Sequence, residues 1–205
     1  MYRYYLLIAF STITLTANLF GQDKIIGKPV SYETEDGKYY IQKKLPVYLY
    51  ISNSPDSNTV KTKLRSKESI QYTNPMYFDT DGFNSLRTNW AVDKKSRAKV
   101  LPQHEIVFEV YADSKSPDTY GLFNKKVVGY SEGKRVYPSG TKLTLLNYDA
   151  VSGTSKIYYS INKDAFIEYV QPIEFNVAKK TNIQFYGIDN VGNTEEIHEL
   201  NFIIQ

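Results

Sequence analysis

The sequence predicts an all-β chain of two tandem β-sandwich modules behind an export signal, and three observations carry that expectation. Apolar residues alternate with polar ones over short runs: Val47, Leu49 and Ile51; Leu143 and Leu145; Ile183 and Phe185; Leu200, Phe202 and Ile204. A period of two turns one face of each run toward a core. No stretch sustains apolar residues at i, i+3 and i+4 for three turns, so almost no helix is expected after the signal. Finally, a late block echoes an earlier one. Tyr169-x-x-Pro172-Ile173-x-Phe175 matches Tyr72-x-x-Pro75-Met76-x-Phe78 at an offset of 97, and Tyr186-Gly187-Ile188-Asp189 matches Trp90-Ala91-Val92-Asp93 at 96. Two blocks in phase to within one residue predict a duplicated unit.

Residues 1–21 read as a secretory signal peptide. Arg3 supplies a positive start, Leu6 to Phe10 form an apolar run, and the small residues Ala17 and Gly21 offer cleavage sites, after Gly21 or after Ala17. The run is shorter than the roughly 20 residues a bilayer span needs and is diluted by Ser11, Thr12, Thr14, Thr16 and Asn18, so an uncleaved anchor is the weaker reading. No transmembrane segment is expected after it. The protein is expected to be exported, to the periplasm, the outer membrane surface or the medium. The chain has no cysteine, so neither disulfides nor a lipid anchor on cysteine can support it, and each module must fold on its hydrophobic core alone. About 184 residues remain after cleavage, which suits two sandwiches of ~100 residues. The net charge of +3 is mild and argues against a nucleic-acid partner.

The elements follow in order. Residues 22–40 form an extended polar lead-in, 41–113 the first sandwich, 114–120 a linker marked by Asp113-Ser114-Lys115-Ser116-Pro117-Asp118, and 121–205 the second sandwich. In the first module, Asn53 to Asn58 break a strand, Asp79-Thr80-Asp81-Gly82 makes a turn with Gly82 at positive φ, Trp90 and Val92 point inward, and Ile106, Phe108 and Val110 close the unit. In the second, Asn162-Lys163-Asp164 is a hairpin turn, Gly192 supplies positive φ, and Tyr186 points inward like Trp90.

Residues ~138–205 resemble two related bacterial repeat families: the OmpL-type "β-barrel" repeat and the chitobiase/β-hexosaminidase C-terminal-type domain. The resemblance rests on Asp149-Ala150-Val151-Ser152-Gly153, Tyr159-Ser160-Ile161, Tyr169-Val170-Gln171-Pro172-Ile173 and Tyr186-Gly187-Ile188-Asp189-Asn190-Val191-Gly192-Asn193. The first module shares Tyr72, Pro75, Trp90 and Asp93 but has Asp93-Lys94-Lys95-Ser96-Arg97 in place of the Gly-Asn turn. The resemblance implies immunoglobulin/fibronectin-III-like modules acting as a spacer, protein-interaction or binding unit of the cell envelope, with no catalytic residue and no cofactor. Envelope proteins or glycans are the implied partners. A membrane barrel is disfavoured, because the strands alternate over only about five residues before a charge or turn, against the ~9–11 that a spanning strand needs.

The candidate sites are few. Asp149, Asp189, Asn190 and Asn193 could offer oxygens to calcium, though they show too few carboxylates for a full shell and are well explained as turn caps. Asp79-Thr80-Asp81-Gly82 begins like an EF-hand, but Trp90 stands where the bidentate Glu is needed. His104 and His198 are the only histidines; no paired metal spacing or nucleophile elbow accompanies them, and they read as ordinary strand residues in a protein that is not an enzyme. Among 19 tyrosines, Tyr130, Tyr137, Tyr148 and Tyr158 are the exposed candidates for a ligand-binding face, the basis of an alternative reading as a carbohydrate-binding accessory.

Overall fold

The computed structural model describes residues 24–48, 50–51, 62–63, 77–87, 91–92, 99–100 and 107–205. The signal segment, the turn at 53–58, Tyr72, Pro75, Trp90, Asp93 and His104 lie outside the described residues. The described chain is all-β, with no helix. Its N-terminal part contains β1 (Ser31–Glu33), β2 (Tyr39–Gln42), β3 (Tyr50–Ile51), β4 (Thr62–Lys63), β5 (Gly82–Arg87), β6 (Ala91–Val92), β7 (Lys99–Val100) and β8 (Val107–Asp113). Its C-terminal part contains β9 (Asp118–Phe123), β10 (Gly129–Ser131), β11 (Lys134–Tyr137), β12 (Thr141–Tyr148), β13 (Thr154–Ile161), β14 (Ile167–Glu168), β15 (Ile173–Phe175), β16 (Lys179–Asp189) and β17 (His198–Ile204).

In the C-terminal part a six-stranded sheet, ordered β10-β11-β17-β16-β13-β14, faces a three-stranded one, ordered β15-β12-β9. The alternation read from sequence sets the inner faces. Leu143, Leu145, Ile183, Phe185, Phe202 and Ile204 are all at most 2% exposed and pack into one cluster with Tyr137, Ile173 and Phe175. The hairpin turn forms as expected: Asn162 and Lys163 both take positive φ, and Asp164 N–H donates to Ile161 C=O at 3.1 Å. Gly82 and Gly192 take the positive φ expected of them, +89° and +92°.

The N-terminal part is built around a four-stranded sheet, β1-β2-β8-β5, in which β2 runs parallel to β8 and β5 antiparallel to it. Ile41, Val47, Val110 and Ala112 form its buried cluster, with Phe78 packed against them. The sequence-matched blocks occupy different ladders. Tyr186 to Asp189 sit inside the six-stranded sheet, whereas Ala91–Val92 pair with Lys99–Val100 in a separate two-stranded ladder. The strand beside β8, in the place β16 holds beside β17, is β5, and at the offset of 97 Gly82–Arg87 fall on residues 179–184, the first part of β16.

Residues 22–40 are more than a lead-in. Residues 24–30 form a strap across the outer face of the six-stranded sheet. Ile25 N–H donates to the Tyr186 hydroxyl at 2.7 Å, Gly27 N–H to Thr194 Oγ1 at 2.8 Å, and Val30 N–H to Val191 C=O at 3.0 Å. The chain then enters β1 and β2. Tyr186 is fully buried, as expected, but on the opposite face from the core. Its neighbours in β16, Ile183 and Phe185, point inward, while Tyr186 lies under Tyr158, Phe166 and the Lys24 ammonium. The linker placed at 114–120 is also shorter in the structure, since β9 begins at Asp118. Residues 114–117 are tied down at once, with Ser114 N–H and Oγ–H donating to Asp81 Oδ1 and Lys115 N–H to Asp113 Oδ1.

Candidate functional site

Three aspartates meet where the strap, the end of β8 and the β12–β13 turn converge. Asp113 ends β8, Asp149 opens the turn after β12, and Asp189 ends β16. Each offers one carboxylate oxygen, and these oxygens lie within 4.8 Å of one another. Local sequence explains each carboxylate, because a short acceptor at a strand end can bind the N–H groups of the turn that follows. Asp149 Oδ1 accepts from Val151 and Gly153 N–H at 3.0 and 2.8 Å. Asp189 Oδ1 accepts from Val191 and Asn193 N–H at 3.0 and 2.8 Å. Asp113 does more: Oδ1 takes Lys115 N–H at 3.0 Å, while Oδ2 reaches across to Ser152 N–H at 3.1 Å and so joins the two parts of the chain.

Asn193 is the second clasp. Its Nδ2 donates to Asp189 Oδ2 at 2.7 Å and to Asp113 C=O at 3.3 Å, and its Oδ1 accepts from Gln42 Nε2 at 3.2 Å. Asn190 Nδ2 donates to Ser152 C=O at 2.9 Å, and the Tyr32 hydroxyl donates to the same carbonyl. Burial pushes the Asp189 carboxyl up from its ordinary range, and the Asp113 charge adds to this; the N–H bonds from Asn193 and Val191 oppose it. The Tyr32 phenol is raised by burial first, with Tyr40, Asp149 and Asp189 contributing, and the bond with Asn190 opposing. Among the described residues no lysine or arginine forms an ion pair with the three aspartates.

Of the four residues expected to offer oxygens, the structure brings Asp149 and Asp189 together and commits the Asn190 and Asn193 amides to the junction. Asp113 joins the pair; it had been read only as the edge of the linker, because its distance from Asp149 and Asp189 in sequence hides the approach. Chemically the cluster is a set of turn caps whose three carboxylate oxygens span a divalent cation's reach. With capping as its role, millimolar calcium should leave the melting temperature unchanged to within about 1 °C. A cation held at a Kd of about 0.1 mM would instead, at about 5 mM, add about 2 kcal/mol and raise Tm by about 4–8 °C. Thermal scans of the wild type and Asp113→Asn with and without calcium distinguish the two.

A second carboxylate links the two facing sheets. Glu195, 5% exposed, accepts Thr119 N–H through Oε1 and Gly187 N–H through Oε2, both at 2.8 Å. His198, stacked on Phe185 at 5.4 Å between ring centroids, places Nε2 2.5 Å from Glu195 Oε1, and Asp118 completes a second group of convergent ligands. His198 is thus more than a plain strand residue; it is the counter-group of a buried carboxylate. Glu195→Ala leaves two buried N–H donors unpartnered and should cost about 2–4 kcal/mol by urea denaturation, against a smaller loss for Glu195→Gln, which keeps an acceptor.

The four tyrosines chosen for exposure do not share a face. Tyr130 and Tyr148 are 74% and 65% exposed but lie on different sheets. Tyr158 is half-buried against Tyr186. Tyr137 is a correction: it is 4% exposed, stacked on Phe123 at 4.2 Å and edge-on to Phe202, because β11 pairs with β17 in a register that turns Tyr137 inward beside Ile204. The aromatic row that does exist was missed. Tyr32, Tyr40, Tyr111 and Phe83 stand opposite one another on β1, β2, β8 and β5, with centroid steps of 5.1, 4.8 and 5.4 Å. Each ring sits in a readable strand, but strand order, which sequence leaves open, makes the row. A shallow cleft of ≈ 410 Å³ beside β15 is lined by Lys142, Tyr159, Gln171, Pro172, Ile173 and Glu174. No known protein family matches this chain, and no curated protein or solved structure matches it either.

Proposed function

We propose that this chain is an exported, non-catalytic protein of two immunoglobulin-like β-sandwich modules, acting as a surface or periplasmic spacer or protein-interaction module. The observation that carries the reading is strand order. In the C-terminal part, β11, β17, β16, β13 and β14 face β9, β12 and β15, with β11 parallel to the last strand, β17. Two facing sheets, mostly antiparallel with one parallel pair at the last strand, support an immunoglobulin-type reading. The N-terminal order β1-β2-β8-β5 repeats β10-β11-β17-β16, again with a hairpin's second strand parallel to the last strand. That recurrence and the residue offset, which places Gly82–Arg87 on the first part of β16, both support a duplication.

The junction supports a spacer role. Its carboxylates and amides bind backbone and side-chain groups across the two parts, which resists bending without spending any group on a reaction. The alternative, a carbohydrate-binding accessory, draws on the row of Tyr32, Tyr40, Tyr111 and Phe83. Sugars stack on open ring faces. Here Tyr40 has Tyr32 on one face and Tyr111 on the other, at interplanar angles of 9° and 20°, so the row favours stiffening of the sheet. A glycan array and a pull-down from envelope extract, both with the chain from residue 22 onward, test the proposal. Capture of an envelope protein with no glycan bound is the expected result; glycan binding lost in Tyr40→Ala would decide for the alternative.

A further inference from the structure

The outer edge of β9 is built to accept another strand. Asn124 N–H donates to Lys142 C=O, and Thr119 N–H points away from β12 to Glu195, so the even-numbered residues of β9 bond to β12 and the odd-numbered ones face outward. Among the described residues the backbone groups of Gly121 and Phe123 on that side have no partner, while Thr119 N–H is already capped. Such an edge is ordinarily short or guarded by lysine or proline. The other edge strands of these two sheets, β10, β14 and β15, span two or three residues. By contrast, β9 pairs with β12 without a bulge over six residues, Asp118-Thr119-Tyr120-Gly121-Leu122-Phe123, and carries no such guard. Its outer side chains are apolar: Tyr120 and Leu122 are 48% and 53% exposed, and Leu146 lies directly opposite Tyr120 on β12.

We propose that β9 pairs antiparallel with the β9 of a second copy of this chain, about a two-fold axis at Leu122. Charge selects this occupant, because the edge is self-complementary. Asp118 stands at its start and Lys125 and Lys126 just past its end, so antiparallel pairing brings the acidic end of each copy to the basic end of the other. Centring on Leu122 sets Gly121 opposite Phe123 of the second copy, which uses the free N–H and C=O groups and avoids the capped Thr119 N–H. The two Leu122 side chains then meet on the outer face with Tyr120 beside them, and the two three-stranded sheets become one continuous sheet. This inference stands on β9 alone and does not depend on the spacer reading.

The absence of native cysteine makes the test direct. Opposed residues of a non-hydrogen-bonded antiparallel pair have Cα atoms ~4.5 Å apart, within the range a disulfide bridges. Leu122→Cys is therefore expected to form a disulfide-linked dimer under mild oxidation at least about tenfold faster than Val170→Cys, whose 85% exposed position lies off the edge. Sedimentation equilibrium of the wild type should show concentration-dependent dimer, weakened about tenfold or more in Leu122→Lys. Because Leu122 is half exposed, both variants should fold, and their melting curves verify this. Equal cross-linking of the two cysteine variants, self-association unchanged in Leu122→Lys, or a wild type that stays monomeric to about 1 mM would overturn the proposal. A purified Leu122→Cys chain that stays monomeric yet cross-links to a different protein would also overturn it, in favour of a foreign strand on the same edge.

Discussion

Gly192→Ala should destabilise the protein by about 3–5 kcal/mol and release the strap, measured as a lower melting temperature and faster tryptic cleavage after Lys24. Two costs combine. Gly192 holds φ at +92°, which an L side chain rarely adopts, and a Cβ there would stand 2.1 Å from Lys28 C=O and 2.6 Å from its carbon. These are backbone atoms, so no rotamer change relieves the clash. The strap must lift, and Tyr186 and Ile188 would then lose their cover, since Gly27 approaches Ile188 and Ile25 bonds Tyr186. Gly37→Ala is the control. Its φ is +78° with nothing within 4 Å of the new Cβ, so it should lose only the conformational share, about 1 kcal/mol. Equal losses in the two variants would show that the close approach of the strap contributes nothing.

The second large effect is expected at Asp189. Replacing it with alanine leaves Val191 N–H, Asn193 N–H and one of the two Asn193 Nδ2 hydrogens without an acceptor in a site 2% exposed, and should cost about 3–5 kcal/mol by equilibrium urea denaturation. Its pH dependence has a definite sign. Burial raises the folded carboxyl above its unfolded value, so the native state holds the Asp189 proton more tightly than the unfolded chain does. That contribution is fully present below the ordinary aspartate pKa of about 3.9 and is lost as pH rises through the raised value. Asp189→Asn cannot titrate, so the stability of the wild type relative to this variant should fall as pH rises across that window. A difference that is flat, or that grows with pH, would contradict the desolvation account.

The candidate site was legible in its local half. The Asp189–Asn193 turn, the positive φ of Gly192 and the capping by Asp149 follow from short-range chemistry, in which a carboxylate at a strand end meets N–H groups two and four residues on. The long-range half was not. Asp113 reaches Ser152 across 39 residues and Asn193 reaches Gln42 across 151, and no spacing rule connects them. The same division explains Tyr137 and Tyr186. Tyr137 lies on a four-residue strand too short to define an inner face by alternation, and its direction is set by parallel pairing with β17. Tyr186 falls on the face its period assigns to solvent, and a segment 161 residues away covers it.

By itself the sequence determined that the described residues would be all-β, where the C-terminal core strands run, and which residues bend the chain between them. Backbone sterics and the period of two act within a few residues and need no partner to be read. Only the tertiary structure decided what covers each face: the strap over Tyr186, the aspartate and asparagine clasps at the junction, the Glu195 link between sheets, and the edge of β9 left open. Those depend on which distant segments meet. Burial and hydrogen bonding reward such contacts whatever their separation in sequence, so the residues involved carry no local mark of their role.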